Sequence, residues 1–324
     1  MSIINRVKQE VRPFYRTMRQ KRQSDAYLKK YQKYAFDETG NLSDEKQFEA
    51  CITRLYHTIE KGLAFPEFRP GFGKSNLEKL LRLMKAYAAA FDTDTFFYRT
   101  ALSCLQAYIR KNREYGYEDS GLEEQIRNLP GEPNDCGGVI VVRPISVNEL
   151  GTMDYASFVK SRHSIRHFSQ NPVDLEKTIN AIRLAQHTPS ACNRQGWKAR
   201  IVTDKKVRSE LLKNQNGNRG FGEEINQIIV VTSDLRFFNQ ERELYQAFID
   251  GGMYAQSIIQ ALHHEGLAMI PLSASLWEEQ DKTVRRLLQI EDSEILIMFI
   301  GVGNYPDECT TTKSERKPVD ITIV

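Results

Sequence analysis

The sequence predicts an α+β protein built in two regions. In residues 1–150 apolar side chains recur at spacings of three and four, the mark of helices with one buried face. In residues 151–324 helical stretches alternate with short β-branched runs. With 324 residues, the chain has room for roughly two domains at about 100–200 residues each.

The elements follow in order. "QFEACITRLYHTIEKGL" places Phe48, Cys51, Ile52, Leu55, Tyr56 and Ile59 on one helical face. "NLEKLLRLMKAYAAAFD" and "TFFYRTALSCLQAYIRKNREY" repeat the pattern. "AFPEFRPGFGKS" is a loop punctuated by Pro and Gly, and "GEPNDCGGVIVVRP" is a break with a β-like run at Val139 to Val142. The boundary falls near Leu150, separating a helical N-terminal extension (1–150) from a second region (151–324). There "TMDYASFVKS" is a short helix, and "DLEKTINAIRLAQHT" is a helix after Pro172 with Asp174 as its cap. "KARIVT", "NQIIVVTS" and "EILIMFIGVG" read as strands, with Trp197 as core. "YQAFIDGGMYAQSIIQALHHEG" is a long helix, and "VDITIV" at the end alternates like an edge strand.

Composition narrows the function. Hydrophobic residues make up 40% and charged residues 27%, as in a globular protein. Net charge is +3, too small to indicate a nucleic-acid binder. Five cysteines, Cys51, Cys104, Cys136, Cys192 and Cys309, are odd in number and form no CxxC pair. That argues against a disulfide framework and a structural zinc site. No metal site is expected. The start shows no apolar segment of signal-peptide type, so a cytoplasmic setting is expected. Residues 1–35 carry ten Lys or Arg against two acids. Ile4, Val7, Val11 and Met18 would share a helical face there, interrupted at Pro13. Such an arm could lie on an anionic membrane; packing on its own protein or on a dimer partner is favoured.

Several motifs fail. "GFGKS" (71–75) ends like a phosphate loop, but its first glycine position is Phe68. "GVGNYP" (301–306) has Pro306 at the third glycine of a dinucleotide fingerprint. His264 lacks a second histidine four residues later, so with His263 it reads as packing or surface.

Two stretches hold. In "SRHSIRHF" (161–168) an extended backbone would align Arg162, Ser164 and Arg166 in one row, with His163 and Ile165 opposite. Two guanidiniums and a hydroxyl suit a phosphate, which arginine can hold bidentately; a solvated basic face has the same pattern. In "HTPSACNRQGWK" (187–198), Pro189 and Gly196 break the backbone while Ser190, Asn193 and Gln195 offer hydroxyl and amide groups. An amide pairs a donor with an acceptor, as the edge of a heteroaromatic ring requires.

These stretches, followed by "GLAMIPLSAS" and "SERKP" in that order, resemble the FMN-dependent nitroreductase family over residues 153–324. The resemblance implies a mainly antiparallel sheet between helices, and an obligate homodimer with FMN at the subunit interface. It implies cofactor contacts from Arg162, His163, Ser164, Arg166, Pro189, Ser190, Asn193, Gln195, Asn218, Pro271, Leu272, Ser273 and Arg316. Within that set, Arg162 and Arg316 would hold the phosphate, Arg166 would sit near flavin N1 and O2, and a backbone N–H at Leu272 or Ser273 would face N5. The 190–195 segment would come from the partner subunit, and the tail would add a strand to the partner's sheet. Three positions depart from the family pattern. Gly196 stands where Pro is frequent, Phe221 where a basic residue is common, and "PLSAS" where an acidic residue or cysteine often lies.

The implied activity is ping-pong hydride transfer: NADH or NADPH reduces the flavin, and an unknown small acceptor of nitro, quinone or enone type reoxidises it. Arg166 would stabilise charge gained at N1 and O2, with Leu272 and Ser273 as its catalytic companions. Two rivals compete. One is a flavin-dependent dehydrogenase or tailoring enzyme that passes electrons from a metabolite or peptide to O2. The other is a flavin-binding interaction module at a membrane surface. Outside the resemblance, "YHTIEKGLAFPEFRPGFG" (56–73) reads either as a substrate lid or as a locally anchored loop, and Phe237, Phe238 and Tyr245 read as a pocket wall.

Overall fold

The computed structural model describes residues 3–35, 42, 44–239 and 242–324, with backbone alone for 3–12. In chain order the elements are α1 (Ile3–Tyr34), α2 (Glu45–Leu63), α3 (Lys74–Ala90), α4 (Phe96–Glu114), α5 (Ser120–Arg127), β1 (Val139–Val142), α6 (Val147–Thr152), α7 (Tyr155–Ser161), α8 (Leu175–Ala185), β2 (Trp197–Val202), α9 (Lys205–Asn214), β3 (Gln227–Asp234), α10 (Gln246–His264), β4 (Ala268–Ser273), α11 (Glu278–Leu288), β5 (Glu294–Gly303) and β6 (Cys309–Thr312). Two compact units divide them. Met1–Leu28 and Arg143–Glu308 form one; Lys29–Val142 and Cys309–Val324 form the other.

In the second unit, α2, α3 and α4 bury the faces that their spacing predicts. Ile52, Leu55, Ile59, Leu80, Met84 and Leu105 form its core with Tyr87, Tyr98 and Tyr108. Caps fix the helix starts: Asp44 accepts from the amides of Lys46 and Gln47, and Thr95 from that of Tyr98. The 64–73 loop is pinned to α4. Gly71 N–H donates to Asn112 Oδ1 at 2.7 Å, and the Tyr108 hydroxyl donates to the Phe72 carbonyl at 2.8 Å. This supports the anchored-loop reading of that stretch. Glu60, fully buried, accepts from Gly138 N–H at 3.0 Å and faces His57 Nδ1 at 3.1 Å. β1 pairs antiparallel with β6.

The first unit holds a four-stranded antiparallel sheet in the order β2-β3-β5-β4. Every residue of β3 is buried, which explains its continuous apolar run. α10 lays Tyr254, Ala255, Ile258 and Leu262 on the sheet against Ile229, Val231 and Ile300, with α8 beside it. Asp174 caps α8 through the Glu176 amide. A β-bulge at Val231/Thr232 bends the β3–β5 pair.

Two expectations fail. α1 continues through Pro13; the ring's missing N–H costs one hydrogen bond, which a 32-residue helix tolerates. The side chains of Ile4, Val7 and Val11 lie outside the described residues, while Met18 is exposed. The "VDITIV" tail joins neither sheet of its own chain: residues 313–324 have no regular structure. Val319, Ile321 and Ile323 are exposed, because alternation supplies a face and not the neighbouring edge that a strand needs. Among the described residues, no helix is long and apolar enough to cross a membrane.

Candidate functional site

The 161–168 stretch leaves α7 and runs extended along the outer edge of β4. Ser164 bridges Met269 in parallel, and Ile165 N–H donates to the Met269 carbonyl at 3.0 Å. Ile165 is fully buried while Arg162, Ser164 and Arg166 are half-buried. Burial alone does not separate the predicted row from its neighbours, since Ile165 is the one fully buried residue between Arg162 and Arg166. His163, on Ile165's side, is half-buried as well. From the Ser164–Met269 bridge both chains run the same way, so Arg166 and Pro271 each lie two residues downstream.

Both ends of the row are anchored. Upstream, the Ser161 hydroxyl donates to the Phe158 carbonyl at 2.9 Å and meets His263 Nε2 at 2.8 Å. Burial pushes His263 down to about 4, helped by the charges of Arg162, His163 and His264. A neutral imidazole thus sits beside the first guanidinium. Downstream, Glu224 accepts from Phe168 N–H at 2.9 Å and faces His167 Nδ1 at 2.7 Å. Phe168 itself fills the space over Gly303, where a Cβ would come within 2.4 Å of its ring.

The register of β4 leaves the Ser273 amide outside the β4–β5 ladder. Met269 gives its carbonyl outward to Ile165, and its β5 partner Val302 gives its carbonyl to Asn226 N–H at 2.9 Å. These two residues are therefore a non-hydrogen-bonded pair, and alternation makes Pro271–Ile300 and Ser273–Met298 the same. A proline without N–H is tolerated there. The Ser273 N–H stays outside the ladder, while Leu272 faces β5. The Ser273 carbonyl accepts from Gln215 Nε2 at 2.9 Å, and the Asn216 amide donates to the Ser275 carbonyl at 3.3 Å. Asn218 closes the end of α9, donating from Nδ2 to the carbonyls of Leu212 (2.8 Å) and Gln215 (2.6 Å).

The second predicted stretch is a strained loop. Pro189 is exposed, and Cys192, Asn193 and Gln195 have φ of 51°, 55° and 51°. Left-handed conformations of non-glycine residues cost on the order of 1–3 kcal/mol each. Hydrogen bonds hold them. Gln195 N–H donates to Ser190 Oγ at 3.0 Å, and Gln186 Nε2 donates to Gln195 Oε1 at 2.9 Å. Gln195 Nε2 donates to Asn193 Oδ1 at 3.1 Å. Asn193 is exposed, and its Nδ2 makes no hydrogen bond to the described residues. At Gly196 a Cβ would come within 2.9 Å of Phe237 Cβ and 3.1 Å of Phe238. This accounts for a residue without a side chain at position 196.

Sequence reasoning missed the residues that brace this loop. Arg194 makes a bidentate ion pair with Glu243 (2.7 and 2.8 Å), and Asp250, almost fully buried, accepts from Ala191 N–H at 3.1 Å. Glu243 lies among the aromatic residues that read as a pocket wall, and nothing in its local spacing points to Arg194. Arg316 belongs to the other unit, where it is exposed and donates to the Ser314 carbonyl.

Known proteins resemble this chain in its C-terminal half. Residues 159–216 and 212–304 match the model of the nitroreductase family. Residues 159–304 are a nitroreductase-family region. A relative from Archaeoglobus fulgidus, provisionally named NADH dehydrogenase/NAD(P)H nitroreductase, is 28% identical over 156 residues, 46% of this chain and 84% of that protein. A Streptococcus pyogenes protein provisionally named NAD(P)H nitroreductase is 33% identical over 93 residues, 28% of this chain and 46% of its own length. A solved structure of an FMN-dependent nitroreductase from Clostridium difficile aligns with a TM-score of 0.42 at 21% identity, covering 51% of this chain and 91% of that one. The nitroreductase match leaves residues 1–158 and 305–324 outside it.

Proposed function

We propose that the chain is an FMN-dependent NAD(P)H oxidoreductase that works as a homodimer in a reducing cytoplasm. The observation that carries this reading is the Arg162–Ser164–Arg166 row, bridged to β4 at Met269 and leading toward the Ser273 N–H outside the ladder. Its donor set fits the group. Guanidiniums and a hydroxyl suit a phosphate and an electron-rich ring edge, the bare Asn193 amide suits a ring substituent, and a lone backbone N–H suits a single ring nitrogen.

FMN would supply the hydride chemistry. Arg162 would hold the phosphate, with His163 and Ser164 beside it. Arg166 would offer a fixed cation where reduction adds negative charge. Pro271 and Leu272 would form the strand surface, and Ser273 N–H would orient the reacting nitrogen. Asn218 would contact the ring from the loop it closes. Pro189, Ser190, Asn193 and Gln195 would come from a second copy. Arg316 would be the second phosphate cation, the role implied by the resemblance.

The homodimer is supported by α10. Phe248, Ile249 and Met253 are 53%, 52% and 38% exposed on one side of an otherwise core-forming helix, as a face awaiting an obligate partner would be. The odd number and wide spread of the five cysteines suit a reducing compartment.

Anaerobic stopped-flow mixing of the flavin-loaded protein with NADPH, and separately NADH, tests the reading. Bleaching of the flavin by one of them, followed by reoxidation with a quinone or nitroaromatic, is expected. A flavin that stays oxidised under saturating donor would overturn it in favour of a dehydrogenase that takes electrons from another substrate.

A further inference from the structure

We infer that Glu243 is a positioning residue for the cofactor, acting through Arg194 on the strained 189–195 loop. The inference rests on the reading that this loop meets FMN.

The loop needs an external brace. Three non-glycine residues within four positions are left-handed, and such conformations persist only where the surroundings over-determine them. Arg194 is the brace's pivot. Its Nε donates to the Ala191 carbonyl at 2.9 Å, across the left-handed Cys192 and Asn193. Its two terminal nitrogens grip both oxygens of Glu243, and its guanidinium carbon sits 5.4 Å from the centroid of the Phe238 ring.

Glu243 is itself fixed, because Oε2 accepts from Asn239 N–H at 2.6 Å. The Arg194 guanidinium, and after it the Asn239 amide, hold the carboxyl below the usual carboxylate range. The pair is about three-quarters buried on both sides, where a forked contact keeps more of its strength than at an open surface. Ala191 is thus held twice, at its carbonyl by Arg194 and at its amide by Asp250. Neither glutamate nor arginine need touch the cofactor. Their product is the orientation of Asn193, whose Oδ1 is occupied by Gln195 and whose Nδ2 points to no partner in the described chain.

The test uses the full-length protein and FMN itself. FMN dissociation constants are measured by flavin fluorescence for wild type, E243A, E243Q and R194K, together with melting temperatures of the flavin-free proteins. E243A and E243Q are expected to weaken FMN binding at least tenfold. R194K, which keeps the charge and loses the fork, should weaken it at least threefold. The flavin-free melting temperatures should stay close to wild type. In the R194K/E243A double variant the loss should equal that of E243A alone. Variants that bind FMN within twofold of wild type would overturn the inference while leaving the flavin reading intact. Variants that lose melting temperature with unchanged affinity would overturn it as well, by showing a purely structural pair. A wild-type chain that takes up no FMN would remove the reading and the inference together.

Discussion

Ser161 Oγ and His263 Nε2 lie 2.8 Å apart, and the residue after Ser161 is Arg162. The Ser161 hydroxyl also reaches the Phe158 carbonyl at 2.9 Å, so a ring protonated at Nε2 satisfies both contacts. Its Nδ1 then faces a buried environment with no hydrogen-bond partner among the described residues.

This ring makes the fold acid-sensitive. Native His263 titrates at about 4, whereas an unfolded histidine protonates near its ordinary value of about 6.5. Between those values the unfolded chain binds more protons, so stability rises with pH and falls as pH drops through the window. The contribution is on the order of 3 kcal/mol at most. Urea unfolding at pH 4.5 and 7 should show this slope in wild type and a shallower one in H263L. Equal slopes would contradict it.

Glu294 provides a second acid-sensitive point at the far end of the sheet. It is fully buried and accepts from Arg200 (2.8 and 2.9 Å), Lys198 (2.9 Å) and Thr232 (2.6 Å). Burial pushes its carboxyl up, but the hydrogen bonds from Arg200, Thr232 and Lys198 outweigh that and bring it to about 2. The sign is opposite to that of a raised pKa: the stabilisation is complete above the ordinary glutamate value and disappears as pH falls toward 2. E294Q takes the carboxylate from Arg200, while Lys198 keeps Asp234 at 3.5 Å, and should cost about 3–5 kcal/mol in denaturant unfolding at neutral pH.

Gly196 is set by packing. In G196A the new Cβ meets Phe237 Cβ at 2.9 Å, a backbone-proximal atom that cannot swing away. A loss of about 1–3 kcal/mol is expected, read as a lower melting temperature, with reduced FMN retention because the adjoining loop shifts.

Ser273 separates binding from chemistry. Proline at 273 removes an N–H that the β4–β5 ladder does not use, just as Pro271 does two residues earlier. S273P should therefore fold and retain FMN while its flavin is reduced by NADPH more than tenfold slower. Unchanged reduction would place the orienting donor elsewhere.

Periodicity made the helices and strands legible, because each buries one face: Ile52, Leu55 and Ile59 on α2, and the all-buried run of β3. Asp174 announced its cap by residue type alone. The extended stretch that pairs Ser164 with Met269 was readable for the same reason as a strand. The braces were not. Glu243 reaches Arg194 over 49 residues, and His263 reaches Ser161 over 102; no local spacing encodes such distances. The left-handed turns at Cys192, Asn193 and Gln195 were hidden because the residues look ordinary. β6 found β1 although the strands lie far apart in sequence, while the tail, with the better alternation, formed no strand.

The most direct measurement is the visible absorption spectrum of the purified full chain, recorded beside R162A and R316A at equal protein concentration after dialysis. A charged contact to phosphate is worth about 1.5–3 kcal/mol. Wild type should therefore carry a flavin spectrum, and each variant should keep at most a fifth of that flavin. A colourless wild type, or variants with its full complement, would contradict the claim that these arginines hold a mononucleotide phosphate.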